Sequence, residues 1–203
     1  AHGLGHGFMG IRQNELFESL ETCDTIEDDW ERESCYGGVF MENIMDEDNP
    51  RNPSKYLKAD EPFYPCTEAE VKTEYKYQCY GRHGIYALKK QDNDFAKVFE
   101  LCRKEVEDDF RTSCYDGLGN NAAVQSTYND PADGAQAEFI RDLCMLGQDI
   151  EAFSKCFSGA VRELIFFYDS DVQAKALCES LTRADWRAAC LQVSEEYMAE
   201  RRR

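Results

Sequence analysis

Residues 23–35 read CDTIEDDWERESC, and the same frame returns at 102–114 (CRKEVEDDFRTSC), 144–156 (CMLGQDIEAFSKC) and 178–190 (CESLTRADWRAAC). In each, eleven residues separate two cysteines; a fifth segment, 66–79 (CTEAEVKTEYKYQC), is one residue longer. Ten cysteines thus fall into five regular pairs, and a fixed period of this kind marks a repeat protein. An aromatic precedes each second cysteine by about one helical turn (Trp30, Tyr75, Phe110, Phe153, Trp186). Another usually follows it (Tyr36, Tyr80, Tyr115, Phe157), which is helical spacing.

Working outward, each first cysteine ends an amphipathic stretch such as Leu16-Phe17-Leu20-Cys23 or Phe95-Val98-Phe99-Cys102. Each unit therefore reads as helix A, a tight acidic turn, and helix B. The carboxylates of Glu27-Asp28-Asp29 and Glu107-Asp108-Asp109 suit the start of helix B. The pairing expected is Cys23–Cys35, Cys66–Cys79, Cys102–Cys114, Cys144–Cys156 and Cys178–Cys190, each closing a loop worth about 3 kcal/mol. Zinc knuckles are disfavoured because no two cysteines stand three apart.

The predicted fold is all-α, a right-handed, tetratricopeptide-like solenoid of helical hairpins with one disulfide per hairpin. Residues 1–10 form a half-repeat helix, followed by repeats at 11–45, 46–90, 91–125, 126–168 and 169–203. A Pro-rich insertion falls in the second, and the Asn-, Ser- and Gly-containing stretch from Gly117 to Gly134 reads as another.

Composition narrows the function classes. The chain has 203 residues and a net charge of −17, a field that repels phosphate backbones and argues against a nucleic-acid partner. No run approaches the roughly 18 apolar residues of a membrane span. Regular, even-numbered cysteines point to an oxidising compartment, so the expected location is secreted, periplasmic or cell-surface.

Aligning Gly3 with the glycine that follows second cysteines (Gly38, Gly117, Gly159) makes the amino terminus a helix B that lacks its cysteine. That placement exposes an apolar edge of Leu4, Phe8 and Met9 as a surface for assembly with another chain. It also puts His6 near Met41 and Glu42 of the next helix B. His2 and His6 stand four apart on one helical face, a spacing at which two imidazoles can share a metal. Glu42 is the expected third ligand, with Asp46 or Glu47 behind it. The competing reading is plain packing, with glycines permitting close approach and each histidine bonded to a neighbouring backbone group. His83 reads as a packing residue. Loops at Asp46–Asn49 and Asn129–Gly134 offer oxygens for calcium, but Leu57 and Ile140 replace the glutamate that an EF-hand needs.

The segments HGLGHGFM (2–9), CYGGVFMEN (35–43), YPC (64–66) and CYDGLG (114–119) resemble motifs of exported, cysteine-rich helical-repeat proteins of prokaryotes, a group with no established activity. The resemblance implies export, helical repeats and a cysteine-bearing segment ahead of Ala1. Asn120 departs from the arginine usual in that group.

The leading expectation is a noncatalytic extracytoplasmic scaffold for protein binding or self-assembly, including head-to-tail association into a filament. The alternative is a metal-binding protein or metal-dependent enzyme using His2, His6 and Glu42 with zinc, copper or calcium. A third is a peptide or glycan binder using Tyr56, Phe63, Tyr64 and the run from Tyr75 to Tyr80.

Overall fold

The computed structural model describes residues 1–201. They form ten α-helices and two short 3-10 turns, with no strand among the described residues. In chain order the helices are α1 (His2–Ile11), α2 (Leu16–Cys23), α3 (Asp29–Met45), α4 (Thr73–Lys90) and α5 (Phe95–Arg103). There follow α6 (Asp108–Ser126), α7 (Ala135–Met145), α8 (Ile150–Tyr168), α9 (Val172–Glu179) and α10 (Ala184–Glu200). The chain divides into two compact units, Ala1–Asn93 and a second that begins at Asp94. The last two residues of the fifth predicted repeat, 202 and 203, lie outside the described residues.

Four disulfides each staple one hairpin, and every helix A ends at its cysteine or one residue beyond. The Cα atoms they join are 5.5–5.8 Å apart. The acidic turns do cap helices: the Asp28 carboxylate accepts the Glu31 amide at 2.9 Å, and Asp149 accepts that of Ala152 at 2.8 Å. Glu107 precedes α6 without such a side-chain bond. Leaving α1 and α4, the chain turns through pairs of left-handed residues, Gln13-Asn14 and Asp92-Asn93. Asn and Asp tolerate that conformation better than most residues.

Two expectations need correction. The second repeat has no helix A: between Asn49 and Lys72 there is no helix, and the Cys66–Cys79 bridge clamps this irregular segment to α4. Pro50, Pro53, Pro62 and Pro65 account for that, since each removes a backbone donor and disfavours helix in the residue before it. The segment is pinned instead by side chains of the helices beside it. Ser54 donates to the Asn43 side-chain oxygen at 2.5 Å, and His83 Nδ1 pairs with the Pro62 carbonyl at 3.1 Å. Conversely, the stretch after Gly117 is helix as far as Ser126. Its Gly117, Leu118, Gly119, Ala122 and Ala123 are buried, so packing outweighs the loop-like composition.

In the first unit the core holds Met9, Leu16, Leu20, Val39, Phe40, Tyr75 and Tyr86. Met9 is therefore not part of an exposed edge: it lies one turn after Gly5, on the side of α1 facing α3. Leu4 is exposed, Phe8 is half-buried, and Ile11 is the more open apolar residue. Asp24 ties three elements together, accepting from Tyr36 at 2.6 Å, Tyr75 at 2.7 Å and Lys72 at 2.9 Å. Burial works against ionising it, yet these three bonds hold its carboxyl below the usual aspartate range. Its charge in turn adds to burial in pushing Tyr75 up to about 12. In the second unit Phe99, Leu118, Ile140, Ala160, Val161 and Leu164 fill the centre.

Candidate functional site

The site begins with two glycines. A side-chain carbon on Gly5 would strike the Cys35 carbonyl and lie 2.6 Å from the Val39 amide nitrogen, and one on Gly38 would strike the His2 carbonyl. At this crossing α1 and α3 meet backbone to backbone, which only residues without a Cβ allow. The contact lays the histidine face of α1 along α3.

His2 Nδ1 pairs with the Ser34 carbonyl at 3.2 Å. His6 Nδ1 meets the Glu42 carboxylate at 2.5 Å, and the two Nε2 atoms face each other at 3.2 Å. The rings stand edge to face, 4.9 Å between centroids. His2, His6 and Glu42 are all half-buried, so the pair is reachable from solvent. Burial, then the nearby positive charge of Arg82, lowers His2 to about 4 and keeps its ring neutral at ordinary pH. The neighbouring Glu33, half-buried and hydrogen-bonded to Gln78, is pushed above the usual glutamate range by burial.

The structure thus brings His2, His6 and Glu42 together as a chain rather than a cluster. Glu42 meets His6 at the nitrogen opposite the one that faces His2. Among the described residues no third imidazole, thiolate or carboxylate atom lies within 4.8 Å of both partners of the pair. Asp46 and Glu47 are engaged elsewhere. Asp46 accepts from Asn49 at 2.7 Å; Glu47 pairs with Lys89 at 2.5 Å and with Lys90, and accepts from Tyr86 at 3.1 Å. Of the second calcium stretch, Asp130 caps a short turn through the Ala132 amide at 2.9 Å.

His83 is fully buried, and burial lowers it to about 4. Its Nε2 has no hydrogen-bond partner, and it lies with Cys66 and Cys79 in the one cluster of three potential ligands among the described residues. Both sulfurs are joined in a disulfide, so neither is a thiolate and no metal is supported there. The predicted aromatic patch divides: Tyr75 and Tyr80 are core, Tyr56, Phe63 and Tyr64 are half-buried, and Tyr77 is exposed.

A second crossing repeats the frame. A Cβ on Gly119 of α6 would strike the Cys156 carbonyl, and one on Gly159 of α8 the Asp116 carbonyl. With Gly3 aligned to Gly117, Asp116, Gly119 and Asn120 stand where His2, Gly5 and His6 stand in α1; with Gly159 aligned to Gly38, Arg162 and Glu163 match Met41 and Glu42. Asn120 donates to Glu163 as His6 meets Glu42, and Asp116 pairs with Arg162. Sequence reasoning did not single out Ser34, Arg82, Asp116, Arg162 or Glu163, and met Asn120 only as a departure from the arginine of the resembled motif. The last four were within reach of the glycine alignment, whereas Ser34 acts through its main chain and leaves no side-chain signal.

Two depressions stand out among the described residues. An enclosed one, lined by Pro131, Gln136, Leu164 and Gln173 among others, has room for about 20 Å³, and a wider one beside Arg12, Glu18 and Glu21 is open surface. No helix among the described residues is long and apolar enough to cross a membrane. No family model, curated protein or solved structure matches the chain.

Proposed function

We propose that the chain is a noncatalytic, extracytoplasmic helical-repeat scaffold that binds a protein partner or further copies of itself, with its hairpins stacked in the tetratricopeptide manner. One observation carries this function. Three stapled hairpins each hold out an exposed apolar side chain at the turn end, Trp30, Val106 and Ile150, beside carboxylates of Asp28 and Asp29, of Glu105 and Glu107, and of Asp149 and Glu151. Exposed apolar anchors flanked along the chain by acidic residues suit a basic protein surface, the anchors for affinity and the carboxylates not held by Arg32, Arg103 and Arg111 for steering. Five disulfides fit an oxidising compartment.

The test is cross-linking in the native extracytoplasmic fraction, with Trp30→Ser/Val106→Ser/Ile150→Ser alongside. A defined cross-linked species that the triple variant loses, at unchanged melting temperature, is the expected result. A wild-type protein that stays monomeric by light scattering and yields no cross-linked species would reject the scaffold reading.

A second function, binding of a divalent transition metal, is favoured by the facing Nε2 atoms of His2 and His6. Elemental analysis of protein purified without chelator, with zinc and copper titrations of the stripped protein, decides it.

A further inference from the structure

We propose that His2 and His6 are the only two protein ligands of a mononuclear zinc or copper(II) centre, each through Nε2, and that Glu42 and the Ser34 carbonyl orient the rings without touching the ion. This assignment rests on the metal-binding function above and specifies how it works.

The geometry begins with the outer nitrogens. A carbonyl oxygen only accepts, so the Ser34 contact places a proton on His2 Nδ1. The Glu42 carboxylate, 2.5 Å from His6 Nδ1, accepts in the same way. With Nδ1 protonated in each neutral ring, each Nε2 carries the lone pair, and the two Nε2 atoms face each other at 3.2 Å. Such an approach is repulsive until a cation, a proton or a metal ion, sits between the nitrogens.

The spacing fits a metal. Bonds of about 2.0–2.1 Å at angles between square-planar and tetrahedral put two nitrogen donors roughly 2.9–3.4 Å apart. The observed 3.2 Å lies inside that window. Each imidazole also has the outer acceptor, carboxylate or main-chain carbonyl, that metal-bound histidines characteristically have, which fixes the tautomer and raises the basicity of the coordinating nitrogen. Imidazole donors select zinc or copper over calcium, which takes oxygen.

Glu42 is excluded as a ligand by topology: it occupies the far nitrogen of His6, and among the described residues no third imidazole, thiolate or carboxylate reaches both rings. It still contributes one negative charge against two local positive influences, the amino end of α1 and the Arg82 guanidinium. With two protein ligands, the remaining positions go to water or to a donor group from a partner molecule.

The experiment uses the full chain, stripped with chelator, titrated calorimetrically with zinc and copper(II), with electron paramagnetic resonance on the copper form. One ion per chain and a copper spectrum with two nitrogen donors are expected. His2→Ala and His6→Ala should each weaken uptake more than about 100-fold. Glu42→Ala should weaken it about 10–100-fold while leaving the two-nitrogen spectrum in place. Melting curves without metal confirm that each variant is folded; if His6→Ala is not, His2→Ala, at the first residue of α1, decides alone. No uptake by the wild type overturns the metal-binding function itself. Uptake that survives His2→Ala, or a donor set that changes in Glu42→Ala, overturns this ligand assignment only.

Discussion

The α1/α3 and α6/α8 crossings share one backbone frame and differ in what surrounds it. Both bring two helices together through a pair of glycines whose Cβ positions are filled by the carbonyl of the opposing helix. Both place a polar bridge one residue past the first glycine, His6 to Glu42 in one and Asn120 to Glu163 in the other. At the remaining rim position the second crossing has an Asp116–Arg162 ion pair, whereas the first has His2 facing His6, with Met41 where arginine would be. The glycines thus set the distance between helices, and the rim residues set the chemistry. An ion pair satisfies its own charges; two facing imidazoles can share a proton between their Nε2 atoms or, as we propose, a metal ion.

The largest effect should come from disturbing the shared frame. Gly119→Ala and Gly5→Ala each drive a methyl group into backbone, where no side chain can give way. Both should destabilise their unit by about 3 kcal/mol or more, at the upper end of overpacking costs. Gly7→Ala, on the open face of α1 with nothing near its Cβ, should stabilise by up to about 1 kcal/mol, the usual helix preference of alanine. Urea unfolding of the three variants checks both signs, and equal effects would mean that the helices at these crossings do not meet backbone to backbone.

Acid should next distinguish the two units, because the two histidines that burial lowers, His2 and His83, lie in the first. His83 is lowered from 6.5 to about 4 by burial, so the unfolded chain takes up the proton first as pH falls. Its contribution is fully present above about pH 6.5 and is lost on the way down to pH 4, roughly 3 kcal/mol in all. Hydrogen exchange resolved by residue should show protection in α3 and α4 falling between pH 6.5 and 4.5 while α6 and α8 hold. His83→Gln should remove the share of the slope that belongs to the fully buried ring, leaving the smaller share of the half-buried His2, which burial also lowers to about 4.

How far each crossing was legible in the sequence follows from where its signal sits. The cysteine frame revealed the hairpins and their staples because a disulfide needs two side chains at a fixed spacing, which any reading of the chain can see. His6 beside Glu42 was legible for a related reason: aligning Gly3 with Gly38, Gly117 and Gly159 sets the register of α1 against α3. The role of Glu42 as an outer partner was not, since it turns on which nitrogen of a ring faces which neighbour. The missing helix ahead of Cys66 was half-legible in its prolines. Helix through Asn120, Asn121 and Ser126 was hidden by polar residues whose neighbours Gly119, Ala122 and Ala123 supply the buried face.

If frame and rim are separable, chemistry should move between crossings. Asp116→His/Asn120→His/Arg162→Met copies the rim of the first onto the second, with Glu163 already in the place of Glu42. Metal stoichiometry should rise from one to two ions per chain, and the second unit should gain about 2.7 kcal/mol at a free metal concentration a hundred times its dissociation constant. A stoichiometry that stays at one, in a variant that remains folded, would show that α1 supplies something beyond its histidines and glycines.

The smallest effect belongs to the ion pair alone. Asp116 and Arg162 are both partly exposed, and the attraction between such groups is largely offset by solvent and by the entropy of fixing the arginine. Arg162→Met, which installs the residue found at position 41, should cost less than about 1 kcal/mol, and a double-mutant cycle with Asp116→Ala should give a coupling of the same size. A larger coupling would mean the second crossing depends on its rim as well as its glycines. The two crossings would then differ in what holds them together and not only in what they can bind.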